Sequence, residues 1–78
     1  MNEYHVRIED QKGNKQNLLK VESATIDGAI VYAAKIETLR MSRISDGGGK
    51  VTRHFIASPI GKNMRGERIK AQDIEIGY

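Results

Sequence analysis

Hydrophobic and polar positions along the 78 residues change period more than once. Tyr4, Val6 and Ile8 alternate with His5, Arg7 and Glu9. Period two, with aromatic and β-branched residues on one side, predicts a half-buried strand. The polar, glycine-containing run Asp10-Gln11-Lys12-Gly13-Asn14 predicts a hairpin loop. A second strand is expected from about Lys15 to Val21. Its adjacent Leu18 and Leu19 must point to opposite faces, which favours Leu19 and Val21 as the core pair.

The period then lengthens. Ile26, Ala29, Ile30, Ala33 and Ile36 recur at three and four residues, the spacing of a helix that buries one stripe. Thr25 is a suitable N-cap, with Ser23 as the alternative, and Asp27 complements the positive helix end. The stripe is rich in small residues and allows close approach to a sheet. Gly28 marks either close packing or a tolerated first-turn glycine, and Tyr32 flanks the stripe. The helix is expected to fade near Glu37 or Thr38.

Leu39 to Ser45 and Lys50 to Ala57 flank Asp46-Gly47-Gly48-Gly49. An acid and three glycines between two β-prone runs predict a hairpin. Leu39 and Met41 would share one face of it with Val51, Phe55 and Ala57. The other face would show Arg40, Ser42, Lys50, Thr52 and His54, with Ile44 and Ile56. Strict alternation puts Arg43 and Arg53 on the apolar face, so either they lie near the turn beyond the helix or a bulge resets the register. Ser58-Pro59 is expected to end the strand. Ile74, Ile76 and Tyr78 predict a last strand, with Ile69 as a candidate start. The fold class is α+β in a single domain spanning 1–78: a small antiparallel β-sheet with one helix packed on a face, in the order β-β-α-β-β-β. One helix covers only part of such a sheet, and the other face meets water, a second copy or a partner.

Charge adds a direction. The segment Arg40 to Lys70 holds eight of the thirteen basic residues and only two acids, Asp46 and Glu67, so it nets +6 while the other 47 residues net −3. With a pI near 9.4, this suggests affinity for polyanions, against the plainer reading that the excess keeps a small protein in solution. There is no cysteine, hence no disulfide, thiolate metal site or cysteine nucleophile. The charged amino terminus predicts no signal peptide and no run is apolar enough for a membrane span, so a soluble, cytoplasmic protein without a membrane partner is expected.

Enzyme chemistry finds little support. His5 and His54 fall on outward strand faces without further ligands at metal spacing. No serine carries a nucleophile motif, and Asp73 and Glu75 alternate on one strand face as solvated carboxylates do. The expectation is no catalytic residue, no metal and no cofactor. Gly61-Lys62-Asn63-Met64-Arg65-Gly66 departs from a nucleotide-hydrolysis loop, because Glu67-Arg68 rather than Lys-Ser/Thr follows its second glycine. It is either a phosphate-contacting loop, through amides and Lys62, Arg65 and Arg68, or a solvated basic connection. With four aromatics, Tyr4, Tyr32, Phe55 and Tyr78, no stacking platform is apparent, so nucleic-acid contact would be backbone-directed and salt-dependent.

The order strand, glycine turn, strand, then VESATIDGAIVYAAKI resembles small phage-encoded and plasmid-encoded anti-defence proteins, some anti-CRISPR proteins among them, over about residues 4–57. The resemblance is architectural and carries over no functional residue. It implies a non-enzymatic protein of a mobile genetic element that binds a nucleic-acid-handling complex or a nucleotide signal. The leading expectation is a basic binding module that docks on nucleic acid or a nucleoprotein complex. Arg40, Arg43, Lys50, Arg53, His54, Lys62, Arg65, Arg68 and Lys70 are its candidate anion- or partner-binding residues. The alternatives are an inhibitor that binds a bacterial defence complex, gripping an acidic protein surface, and an assembly subunit or homodimer joined by sheet edges.

Overall fold

The computed structural model describes residues 1–46, 48–61 and 66–78. Strand β1 (Asn2–Glu9) pairs with β2 (Lys15–Ser23), helix α1 (Ile26–Ile44) follows, and β3 (Lys50–Ile60) and β4 (Lys70–Gly77) complete the chain. The sheet order is β2-β1-β3-β4, with every neighbouring pair antiparallel. β2 and β3 therefore run the same way, one on each side of β1. Connecting such strands requires a crossover, and α1 supplies it across one face of the sheet.

Alternation sorts the strands as expected. Tyr4, Val6 and Ile8 of β1, Val21 of β2, Phe55 and Ala57 of β3 and Ile76 of β4 are buried beneath the helix. Leu19 packs against this core while Leu18 is exposed on the far side. The helix contributes Ile26, Ala29, Ile30 and Ala33. Its alanines let the backbone approach the large fully buried side chains, Tyr4 and Phe55. Thr25 caps the helix by accepting from the Gly28 amide at 3.0 Å. A Cβ on Gly28 would stand 2.4 Å from the Ser23 hydroxyl, so this glycine marks a close approach. Tyr32, beside the stripe, faces outward and is 53% exposed.

Two expectations are corrected. The helix does not fade at Glu37 but continues to Ile44. The segment 39–44 is thus its last turns rather than a hairpin arm, and among the described residues the sheet has four strands rather than five. The buried stripe runs on through Glu37 to Met41, in step with Ala33 at four-residue spacing. A glutamate at a core position interrupts the apolar pattern, so apolar periodicity alone ends there. Asp46 at φ 52° and Gly48 at φ 81° follow the helix end and precede β3, where the sequence predicts a hairpin turn. The second correction is at Pro59, which lies inside β3, opposite Tyr4. β4 stops pairing at Ala57, so the proline sits where one side of the strand is unpaired and its missing donor is tolerated.

The sharpest check on the longer helix compares Leu39 with Met41, which a hairpin arm would place on one face. Met41 is buried and Leu39 is 56% exposed. Met41→Ala should lower stability by about 2–5 kcal/mol, and Leu39→Ala should change it by about 0.5 kcal/mol or less. Equal losses in urea denaturation would restore the hairpin.

Candidate docking surface

The helix carries two acids, Asp27 and Glu37, and their fates differ. Asp27 lies in the first turn, where it favours the helix dipole and meets the Lys70 ammonium. Glu37 is fully buried. Its carboxylate accepts from Arg40 Nε at 2.7 Å, Arg40 Nη2 at 2.8 Å and Arg53 Nε at 2.9 Å. Burial pushes the Glu37 carboxyl up, but the hydrogen bonds and charges of Arg40 and Arg53 together outweigh it and hold the group below its ordinary value of 4.5. This settles the alternation problem at Arg53. The residue does face the helix, no bulge intervenes, and its charge is met by a carboxylate from the helix above.

The candidate basic residues consequently separate. Arg40 and Arg53 hold Glu37, and the Arg53 side chain is only 11% exposed. Arg43 is exposed in the last helical turn, where a cation complements the helix terminus. Lys50 opens β3 and stands 3.8 Å from Glu75. Lys70 opens β4 opposite Ala57, about 23 Å along the sheet from Lys50 at the usual strand rise. Arg68 is exposed just before it. Lys62 and Arg65 lie outside the described residues. His54 is on the open face of the sheet, its Nδ1 against the Asp73 carboxylate. The charged stretch of sequence is thus spread over both ends of the fold.

Glu67, one of the two acids in that stretch, has a fastening role. It accepts from the Ile26 amide at 2.9 Å, satisfying a free donor at the helix start, and from the Tyr4 hydroxyl. At the opposite end, a cleft of about 480 Å³ lies between the β1–β2 turn and the start of β3. Lys12, Lys50 and Arg53 line it, but so do Asp10 and Glu75. Asp10 is committed to the turn, accepting from the Lys12 and Asn14 amides at 2.9 Å each. The Asn14 backbone bond chiefly holds its carboxyl below the usual range. Among the described residues, no group of three or more His, Asp or Glu side chains is placed to hold a metal, and no helix is long and apolar enough to cross a membrane.

The open sheet face is not basic. By the strand register, Glu3, Glu9, Glu22, Asp73 and Glu75 share it with Arg7, Lys15, Lys20 and Lys50. Lys20 pairs with Glu3 at 2.9 Å, and Arg7 pairs with Glu9. Among the described residues, no large aromatic ring lies on this face for a base to stack upon.

The outward face of α1 is different in kind. Val31, Tyr32, Leu39 and Ile44 are each more than half exposed. Ile36, Leu39 and Ile44, with Arg40 and Arg43, line a recess of about 330 Å³. Lys35 and Arg43 have no ion-pair partner among the described residues. The sequence points to Arg40 and Arg43 and places Ile44 on an outer face, but its periodicity assigns Ile36 to the buried helical stripe and Leu39 to the apolar face of a hairpin. The signal was present: 32, 36, 39, 40, 43 and 44 fall on one side of a helix, once that helix is known to continue past Thr38.

Glu37→Gln should destabilise the protein by about 3 kcal/mol, because two guanidinium groups lose their counter-charge. Replacing Glu37 and Arg53 together by methionine should recover a good part of that loss, as measured by a double-mutant cycle in denaturant. The folded-state carboxyl is depressed, so its contribution is complete above the unfolded value near 4.5 and lost as pH falls through the folded value. Wild type should therefore lose melting temperature below about pH 4.5 more steeply than Glu37→Gln; parallel acid titrations would show the carboxylate to be uncoupled from stability. Comparison with family models, curated proteins and solved structures finds no match for this chain.

Proposed function

We propose that the chain is a non-catalytic docking module that binds another protein through the outward face of α1. The observation that carries this reading is the clustering of Tyr32, Ile36, Leu39 and Ile44 beside Lys35, Arg40 and Arg43. Single exposed apolar residues are ordinary, but a contiguous row with a charged border marks an interaction surface. The architecture supports a rigid platform: the helix is 19 residues long, capped at Thr25 and fixed to four strands. A bacterial defence complex is the first partner class to test, because blocking such a complex needs only surface occupation and no chemistry.

A photo-crosslinking side chain placed at Leu39 should give adducts in the cells that make the protein. The same group at His5, on the open sheet face, should give none. Adducts confined to His5 would transfer the interface to the sheet, and adducts at neither would remove the docking reading.

A second reading has its own observation. Lys12, Lys15, Arg43 and Lys50 lie at the end of the fold where the helix stops, and backbone-directed binding of nucleic acid needs little more than such a group. Fluorescence anisotropy with single- and double-stranded DNA and RNA separates the two. The protein-docking reading expects no appreciable binding at about 50 mM salt, whereas binding that collapses by about 200 mM would favour phosphate contact.

A further inference from the structure

Both acids of α1 are engaged away from its outward face, Asp27 with Lys70 and Glu37 with the two arginines. What remains on that face is cationic: Lys35, Arg43 and the part of Arg40 not turned to Glu37. The Arg40 guanidinium uses Nε and Nη2 on Glu37 and keeps Nη1 for another acceptor, since the group has five donors. One buried carboxylate between two guanidinium groups also leaves the cluster with a net charge of +1. The apolar row beside these cations runs from Tyr32 to Ile44, about 18 Å along the helix axis.

We infer that this face takes an acidic amphipathic segment of a partner protein, with a bulky apolar side chain seated between Ile36, Leu39 and Ile44 and its carboxylates on Lys35, Arg40 and Arg43. The inference rests on the docking reading above and names its occupant. Length supports a segment rather than a small molecule: a helical partner needs about three turns, with anchors continuing to about the eleventh or twelfth residue, to run along such a row. Charge excludes a second copy, because a two-fold contact would set Lys35, Arg40 and Arg43 against themselves. Shape disfavours a lipid surface, since a plane of headgroups does not enter a recess between two turns of helix.

The test is amide NMR titration of the full chain with three probes. They are a designed helical peptide with leucines at heptad positions and glutamates around them, the same peptide with lysines for glutamates, and vesicles of phosphatidylcholine with phosphatidylserine. The glutamate peptide should shift resonances from Tyr32 to Ile44 and leave Arg7, Ile56 and Ala71 unmoved. Arg43→Glu should weaken it about tenfold, the scale of a charge-assisted contact, while Glu75→Gln on the open sheet face should not. Leu39→Ser, at a site already exposed, should weaken it with unchanged melting temperature.

No binding, equal binding of the lysine peptide, binding to vesicles alone, or shifts centred on the open sheet face would each overturn the inference. If the glutamate peptide fails while crosslinks at Leu39 persist, the acidic occupant is wrong and the docking surface stands. If both fail, both readings fall.

Discussion

The ion cluster at Glu37 is the constraint on which the lower half of this fold depends. A carboxylate buried alone would be neutralised or expelled, and an arginine beneath a helix would be as costly. Each is tolerable because the other is present, from a different element, at hydrogen-bond distance. The pair joins α1 to β3 beyond the reach of the small apolar core. Toward the amino end of the helix, alanine and isoleucine on Phe55 and Tyr4 suffice. Toward its carboxyl end, Met41 and the two arginines take over, with the sulfur of Met41 3.4 Å from Arg53 Nη2. Glu67 makes a related polar contact at the other end, on the Ile26 amide, so polar anchors hold both ends of a helix whose middle is apolar.

That division explains what could be read in advance. The strands Asn2–Glu9 and Lys15–Ser23, the Thr25 cap and the first half of the helix follow from local rules, and the amino acids there obey them. The second half of the helix does not. Glu37 occupies a core position that pattern reading assigns to an apolar residue, and the partners that justify it are three residues away in one case and sixteen in the other. Nothing within one turn of Glu37 announces Arg53. The reverse inference was open, since Arg53 on an apolar strand face already required a buried acid, and a glutamate in register with a helical stripe would have met the need. Both anomalies belong to one interaction.

The charge pattern shows the same limit for the candidate site. Thirty-one residues with a net +6 suggest one basic surface only if the chain keeps them together. The topology separates the described ones, because β3 carries the chain the length of the sheet from Lys50 to Ile60 and Lys70 opens β4 opposite Ala57. Two arginines turn inward, Lys70 meets Asp27, and Lys50 is close to Glu75. Linear charge density is therefore a poor guide to surface field in a fold whose long strand crosses the basic segment.

The longer helix also changes what the surface offers. Had residues 39–45 formed a strand, Leu39 and Met41 would both have entered the core and Arg40 would have faced solvent with His54. As a helix, residues 36–44 divide into a buried edge, Glu37 and Met41, and an outward edge, Ile36, Leu39, Arg43 and Ile44, with Arg40 touching both. Its Nε and Nη2 neutralise Glu37 while the same residue lines the recess. An acidic group arriving at that recess would meet a guanidinium whose orientation is already fixed from within. Arg40 then loses little side-chain freedom on binding, and preorganisation of this kind lowers the entropic cost of association. The buried carboxylate that stabilises the fold thereby also sets the geometry of the surface, which ties the interior of α1 to its outward face.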